Sequence, residues 1–223
     1  MKTIVKSLLL LLLTFFCFPI LHGQISNEQI KKIDQLFSKY KNPNSPGCMV
    51  GVIDDGEFIY TKGFGMANVQ EQIPFTSDTE FCIGSITKQF VATCIGLLVE
   101  DGKVKLDEDI RTYLPEFSNY DQGITVRHLL HHTSGIRDYT TLKGIEGNYY
   151  KRFTTYEETT PLLKKQRALN FPPNTKQLYS NSGYLLLQEI VRRVSGQSLQ
   201  AFAAENIFEP LKMNHTFFNV ESQ

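Results

Sequence analysis

The sequence predicts an α+β fold, an antiparallel sheet flanked by helices, and three stretches predict it. Cys48-Met49-Val50-Gly51-Val52-Ile53 and Phe58-Ile59-Tyr60-Thr61-Lys62 are apolar runs joined by Asp54-Asp55-Gly56, and Asp-Gly between such runs is a strong hairpin signal. Ile86, Phe90, Val91, Cys94, Leu97 and Leu98 recur at helical spacing and stop at Glu100-Asp101-Gly102, a natural helix end. Leu185 to Ser195 reads as a second buried helix closed by Gly196. With 223 residues and 41% hydrophobic content, the chain can bury a substantial core.

In chain order, the first segment stands apart. Lys2 and Lys6 precede an almost wholly apolar run from Ser7 to Leu21, interrupted by Pro19, and Gly23 offers a small residue before Gln24. This reads as a secretory signal peptide over 1–23, which places the protein outside the cell or in the periplasm. The run is short against the ~20 residues of a membrane span, so no stable membrane span is expected after cleavage. A lipid anchor on Cys17 lacks the small residues that usually precede one, since Thr14-Phe15-Phe16 stand there. Residues 24–223 then form the folded part. Without Lys2 and Lys6 it carries 21 basic and 23 acidic residues, a net charge of −2. No dense basic run suggests nucleic acid as a partner. The odd set Cys48, Cys82 and Cys94 rules out a complete disulfide framework, and Cys82 and Cys94 sit among apolar residues, as core groups do.

Residues 26–41 read as a surface helix capped by Ser26, with Ile30, Ile33, Leu36 and Phe37 as its apolar stripe. A loop at Asn42-Pro43-Asn44-Ser45-Pro46-Gly47 leads to the hairpin, and a connecting segment runs on to Phe81. After the helix at 86–101, Val104 to Pro115 is irregular. Thr125 caps a short organised stretch that ends at Gly135. Residues 136–178 are the least regular part, aromatic and polar, and fit either a lid or a loose surface. Tyr179 and Asn181 lie in the turn before the helix at 185–195, and Ser198 starts a last helix ended by Pro210.

The chemistry concentrates at Ser85 and Lys88. Positions i and i+3 share a helix face, so a hydroxyl and an amine meet where unpaired N–H groups and a partial positive charge collect. A nucleophile, a base and a source of oxyanion stabilisation are then in one place. An amine of pKa about 10.4 acts as a base only where burial or neighbours depress that value, which a partly buried cleft at a helix N-terminus favours. The S-x-x-K pattern also occurs at Ser38 and Lys41, beside a loop where nothing would orient the lysine. A Ser at this position also fits a plain N-cap with an exposed Lys. His128, His131 and His132 invite a metal reading. No H-E-x-x-H pattern accompanies them, and adjacent His131 and His132 diverge by about 100° around a helix. Helix-end capping and packing fit these histidines better, and no metal or other cofactor is expected.

Taken together, Ser85-Ile86-Thr87-Lys88, Tyr179-Ser180-Asn181, Val99-Glu100-Asp101-Gly102-Lys103-Val104-Lys105-Leu106-Asp107, the element from His128 to Gly135 and Ile207-Phe208-Glu209-Pro210-Leu211-Lys212-Met213 resemble the serine β-lactamase and penicillin-binding family. The similarity runs from about Ser26 to Phe218 and is to the class C-like branch, which includes D-alanyl-D-alanine carboxypeptidases, D-aminopeptidases and esterases. It implies a β-lactamase/transpeptidase-like fold with a helical subdomain. It also implies that Ser85 forms an acyl-enzyme, that Lys88 takes or shares its proton, and that Tyr179 is the second acid/base partner. Asn181 would bind the substrate amide and help hold Lys88. The expected partner is a small-molecule or peptide substrate.

The family's third motif, K-T-G or H-x-G on a sheet strand, follows well after Tyr-x-Asn, and the present sequence reaches Gln223 without it. The expectation is the N-terminal portion of the domain, with the C-terminal strands and second oxyanion donor missing, an uncovered hairpin edge and impaired activity. The other function considered is a non-catalytic exported binder of peptidoglycan-like or peptide ligands; a metal-dependent hydrolase is a third.

Overall fold

Asp55 and Gly56 both take positive φ, 48° and 82°, as the favoured two-residue hairpin turn requires. The computed structural model describes residues 25–117, 120–147 and 155–219; the signal-peptide reading at 1–23 lies outside them, as does Cys17. The chain divides into two compact units, one ending at Phe81 and one beginning at Cys82.

In the first unit, β1 (Cys48–Asp54) and β2 (Glu57–Phe64) pair antiparallel from Asp54 opposite Glu57 to Cys48 opposite Phe64, with a register shift between Val52 and Ile53. A smaller antiparallel pair joins β3 (Met66–Asn68) to β4 (Ile73–Pro74). Within the hairpin, Tyr60 and Phe64 are buried while Ile53 and Phe58 are exposed. Gly47 permits a close crossing: a Cβ there would lie 1.9 Å from the Phe64 carbonyl oxygen. Helix α1 (Asn27–Leu36) starts in a capping box, in which the Ser26 hydroxyl accepts from the Gln29 N–H and the Gln29 side chain accepts from the Ser26 N–H. Asp34 ties it to β2, accepting from Tyr60 Oη at 2.9 Å and Lys62 Nζ at 2.7 Å. The helix is shorter than the expected 26–41. It passes into a 3₁₀ turn at Ser38–Tyr40, and Leu36 is exposed rather than part of an apolar stripe.

The second unit holds the main core. A 3₁₀ turn at Gly84–Ile86 leads into α2 (Thr87–Glu100), which buries Val91, Cys94, Ile95 and Leu98 completely. Two further 3₁₀ turns, Ile110–Thr112 and Pro115–Phe117, place Ile110, Leu114 and Phe117 in the same core. Helices α3 (Val126–Leu130), α4 (Tyr139–Ile145), α5 (Tyr156–Lys164), α6 (Asn181–Ser195) and α7 (Leu199–Ala203) follow. The central helix is α6, which packs against α2, α3, α4, α5 and α7. Its Leu186, Leu187, Ile190 and Val191 are fully buried, and Gly196 ends it in the left-handed conformation. The buried carboxylate of Glu189 accepts hydrogen bonds from Arg192 and Arg193 at 2.6–2.7 Å, the compensation a buried charge needs. No helix among the described residues is long and apolar enough to cross a membrane.

Three expectations are corrected here. Cys82 is exposed, and only Cys94 of the pair is a core residue. Ile86 lies outside the buried stripe at 60% exposure, where Ile95 takes a place instead. Among the described residues of 136–178, part is regular rather than loose surface: Asp138 caps α4, Thr155 caps α5, and Leu163 of α5 is fully buried.

Candidate active site

Ser85 sits in the 3₁₀ turn and makes no side-chain cap bond to α2. The capping alternative therefore does not describe it, and its hydroxyl faces other groups. One turn on, Lys88 Nζ donates to Ser85 Oγ at 3.3 Å and to Asn181 Oδ1 at 2.9 Å. Tyr179 Oη donates to Ser85 Oγ at 2.7 Å. The ammonium also lies 4.8 Å from the centre of the Tyr179 ring and 5.5 Å from that of Tyr184, within cation–π range. All four residues singled out in the sequence thus come together, although 94 positions separate Tyr179 from Ser85.

The backbone that carries Tyr179 is fixed by the segment after α3. Leu178 N–H donates to the His132 carbonyl at 2.9 Å, Asn174 N–H to that of Thr133 at 2.9 Å, and Asn170 N–H to that of Gly135 at 2.8 Å. The two segments therefore run antiparallel. Gly135 is required where they meet: its φ is +73°, and a Cβ would lie 2.2 Å from the Phe171 carbonyl oxygen. The turn then enters α6 with Ser180 as N-cap, its hydroxyl accepting from Gly183 N–H. Asn181 is the first residue of α6 rather than part of the preceding turn. Its N–H donates to Asp138 Oδ2, the same carboxylate that caps α4. Ser182 Oγ completes the junction, donating to the Arg137 carbonyl at 2.7 Å and accepting from Tyr139 N–H at 2.8 Å.

The histidines divide by role. His128 Nδ1 accepts from Thr125 N–H at 3.2 Å and closes the capping box of α3, as capping predicts. His132 is different. It stands in the left-handed region at φ +58°, its Nδ1 accepts from Ser180 N–H at 3.2 Å, and its ring lies 4.6 Å from that of Tyr179. Sequence reasoning passed over it as a helix-end residue. The one pointer in the sequence is its place inside the His128–Gly135 element.

Electrostatics favour proton exchange at Tyr179. Partial burial pushes the phenol up, but its hydrogen bonds with Lys88 and Ser85 and the Lys88 charge outweigh that, so it lies below the ordinary phenol value. His132 is also lowered, by burial first and then by the Lys88 charge, and is neutral at pH 7. Ser85 is exposed and Tyr179 is 49% exposed, while Lys88 is half-buried. Cavities of about 490 Å³ beside α5 and α6, and about 390 Å³ between α1 and the hairpin, share no lining residue with the site. The arrangement can deprotonate a serine hydroxyl at the moment it attacks a carbonyl and return the proton to a leaving group.

Residues 33–223 match the family model described as Beta-lactamase. The chain is 34% identical over 179 residues to a D-aminopeptidase of Gluconobacter oxydans, covering 80% of this chain and 33% of that protein. It is 32% identical over 186 residues to a penicillin-binding protein of Bacillus subtilis, covering 83% and 41%. Among solved structures, the octameric penicillin-binding protein homologue from Pyrococcus abyssi superposes with a TM-score of 0.71 at 34% identity, over 83% of this chain and 43% of that one. The chain thus spans well under half the length of these curated relatives, 33% and 41%.

Proposed function

The chain belongs to the beta-lactamase family and has its β-lactamase/transpeptidase-like fold, and from that premise we propose a serine hydrolase that acts on amides or esters through an acyl-enzyme. The observation that carries this reading is the pair of hydrogen bonds into Ser85 Oγ, from Tyr179 Oη at 2.7 Å and Lys88 Nζ at 3.3 Å. In the reacting form Tyr179 is the phenolate that the Lys88 charge favours, and Ser85 Oγ bonds to the substrate carbonyl carbon while its proton passes to Tyr179 Oη. The resulting oxyanion is stabilised at the start of α2. Collapse breaks the bond to the leaving nitrogen or oxygen, which takes the proton from Tyr179. Water then attacks the acyl-enzyme, gives a proton to the same phenolate, and Ser85 leaves with one. Asn181 keeps Lys88 in register and offers its amide to the substrate. The substrate class is that of D-alanyl peptidases, D-aminopeptidases, esterases or β-lactamases. The names of the D-aminopeptidase and penicillin-binding relatives support such acyl chemistry.

Residues 1–23 are proposed as an export signal, so that the mature chain starts at Gln24 in the periplasm or outside the cell. N-terminal sequencing of the exported protein tests this, and a mature protein that retains residues 1–23 contradicts it. Residues 1–223 by themselves are proposed to turn over slowly, because the second oxyanion donor that the family resemblance implies is not among them.

The test is covalent labelling with a fluorescent penicillin, alongside hydrolysis of a chromogenic cephalosporin and a p-nitrophenyl ester. The expected result is a label that disappears in Ser85→Ala, with weak turnover. Turnover at ordinary enzymatic rates removes the claim of impairment. A label undiminished in Ser85→Ala contradicts the assignment. A folded protein that never labels leaves the non-catalytic binder as the better reading.

A further inference from the structure

Both amides that flank Tyr179 are held by one residue. Leu178 N–H donates to the His132 carbonyl at 2.9 Å, and Ser180 N–H donates to His132 Nδ1 at 3.2 Å. The His132 ring lies between two tyrosines, 4.6 Å from Tyr179 at 34° and 5.2 Å from Tyr184 at 37°. Tyr184 is itself anchored, its hydroxyl donating to the Leu130 carbonyl at 3.2 Å. The backbone of His132 is at φ +58°, a conformation that costs energy for a residue with a side chain and that persists only where its surroundings impose it. A residue needed only to end α3 would be served better by glycine.

We propose that His132 is a positioning residue for Tyr179: its unprotonated ring holds the turn that keeps the phenol within reach of Ser85, so acyl transfer is lost when the ring takes up a proton. This rests on the serine-hydrolase reading of Ser85. The physical basis is that Nδ1 serves only as an acceptor here, so the neutral ring carries its proton on Nε2. Protonation places an N–H on Nδ1 against the N–H of Ser180. It also adds a second positive charge facing Lys88. The charged and titratable groups around the ring are Lys88 of α2, Asp138 at the start of α4, neighbouring His131, Tyr179 in the turn and Tyr184 of α6. Burial and Lys88 favour the neutral ring and Asp138 opposes them, while the Ser180 N–H can be accepted only by an unprotonated Nδ1. His132 therefore takes up its proton below the ordinary histidine value of 6.5.

The experiment compares the full chain with His132→Asn and His132→Gly. Asparagine tolerates positive φ, places an acceptor oxygen where Nδ1 stands, and does not titrate. Glycine removes the backbone strain and the acceptor together. The first readout is the rate of fluorophosphonate labelling of Ser85 between pH 4.5 and 8. In the wild type the rate is expected to fall with a midpoint below 6.5. His132→Gly is expected to label about 10- to 100-fold more slowly at every pH while remaining folded, as a displaced catalytic group does. His132→Asn is expected to restore most of that loss and to lack the acid midpoint. Labelling of His132→Gly at the wild-type rate, or an unchanged acid midpoint in His132→Asn, overturns the proposal. The second readout is nuclear magnetic resonance, which needs no activity. The Ser180 amide shift is expected to titrate with the His132 ring, and an amide that ignores the ring overturns the proposal. A wild type that never labels at Ser85 counts against the hydrolase reading, and the resonance arm then still decides whether His132 holds the turn.

Discussion

Ser85 Oγ receives two donors, and they differ in what a substitution removes. Tyr179→Phe takes away the hydroxyl at 2.7 Å but keeps the ring on which Lys88 rests at 4.8 Å. The site should stay assembled while its proton exchange fails. Acylation of Ser85 is expected to slow about 10²- to 10⁴-fold, the range for a positioned general acid or base, with an unchanged thermal midpoint. Labelling within a few-fold of wild type would remove Tyr179 from the reaction. Some of this site is legible in the sequence and some is not. Ser85 and Lys88 are neighbours by helical spacing alone, so local pattern finds them. Tyr179 and Asn181 are found only through the order of motifs along the chain, because no local rule brings residue 179 to residue 85. The roles of His132 and Asp138 escape both routes, although His132 stands inside the His128–Gly135 element. Each side chain reaches the site through a backbone amide, of Ser180 and of Asn181, and such contacts have no residue pattern. Cys82 was misplaced because apolar neighbours in the sequence do not ensure burial where the chain enters a helix.

At the scale of elements, strong local signals were the readable ones. The Asp55-Gly56 turn, the Ser26 and Thr125 caps and the Gly196 stop all lie where the sequence puts them. Helices α4 and α5 were missed for physical reasons. Pro161 sits inside α5, where it removes a helical hydrogen bond, and α4 has only 7 residues, too few for a clear period. A capping signature was nevertheless present, since Thr155 precedes Glu158 by three and its hydroxyl accepts from that N–H at 3.2 Å. The segment before α6 depends on Gly135. Gly135→Ala is expected to destabilise the protein by more than about 1 kcal/mol, because alanine at positive φ is strained and its Cβ meets the Phe171 carbonyl oxygen at 2.2 Å. Chemical denaturation measures this, and a stability unchanged within error would show that the crossing of 133–135 and 170–174 relaxes freely.

For the molecule as a whole, pH is the sharpest probe of stability. Burial pushes the Glu116 carboxyl up, but hydrogen bonds from Arg193 and Tyr156 outweigh that and hold it at about 2. The folded state thus binds fewer protons than the unfolded chain at Glu116. Its contribution is complete above the ordinary value of 4.5 and is lost as pH falls from there toward 2. Glu116→Gln is expected to lower the thermal midpoint at pH 7 and to flatten the acid slope below pH 4.5. An acid slope identical to wild type would place the acid-sensitive groups elsewhere, among carboxylates such as Asp109 and Glu189, which are also lowered.

The whole account turns on one atom, Ser85 Oγ. Its most direct measurement is mass-spectrometric mapping of the peptide that carries a fluorophosphonate adduct. The account predicts the adduct on Ser85, in the peptide that ends at Lys88. An adduct on any other serine, with Ser85 unmodified in a folded chain, would contradict it.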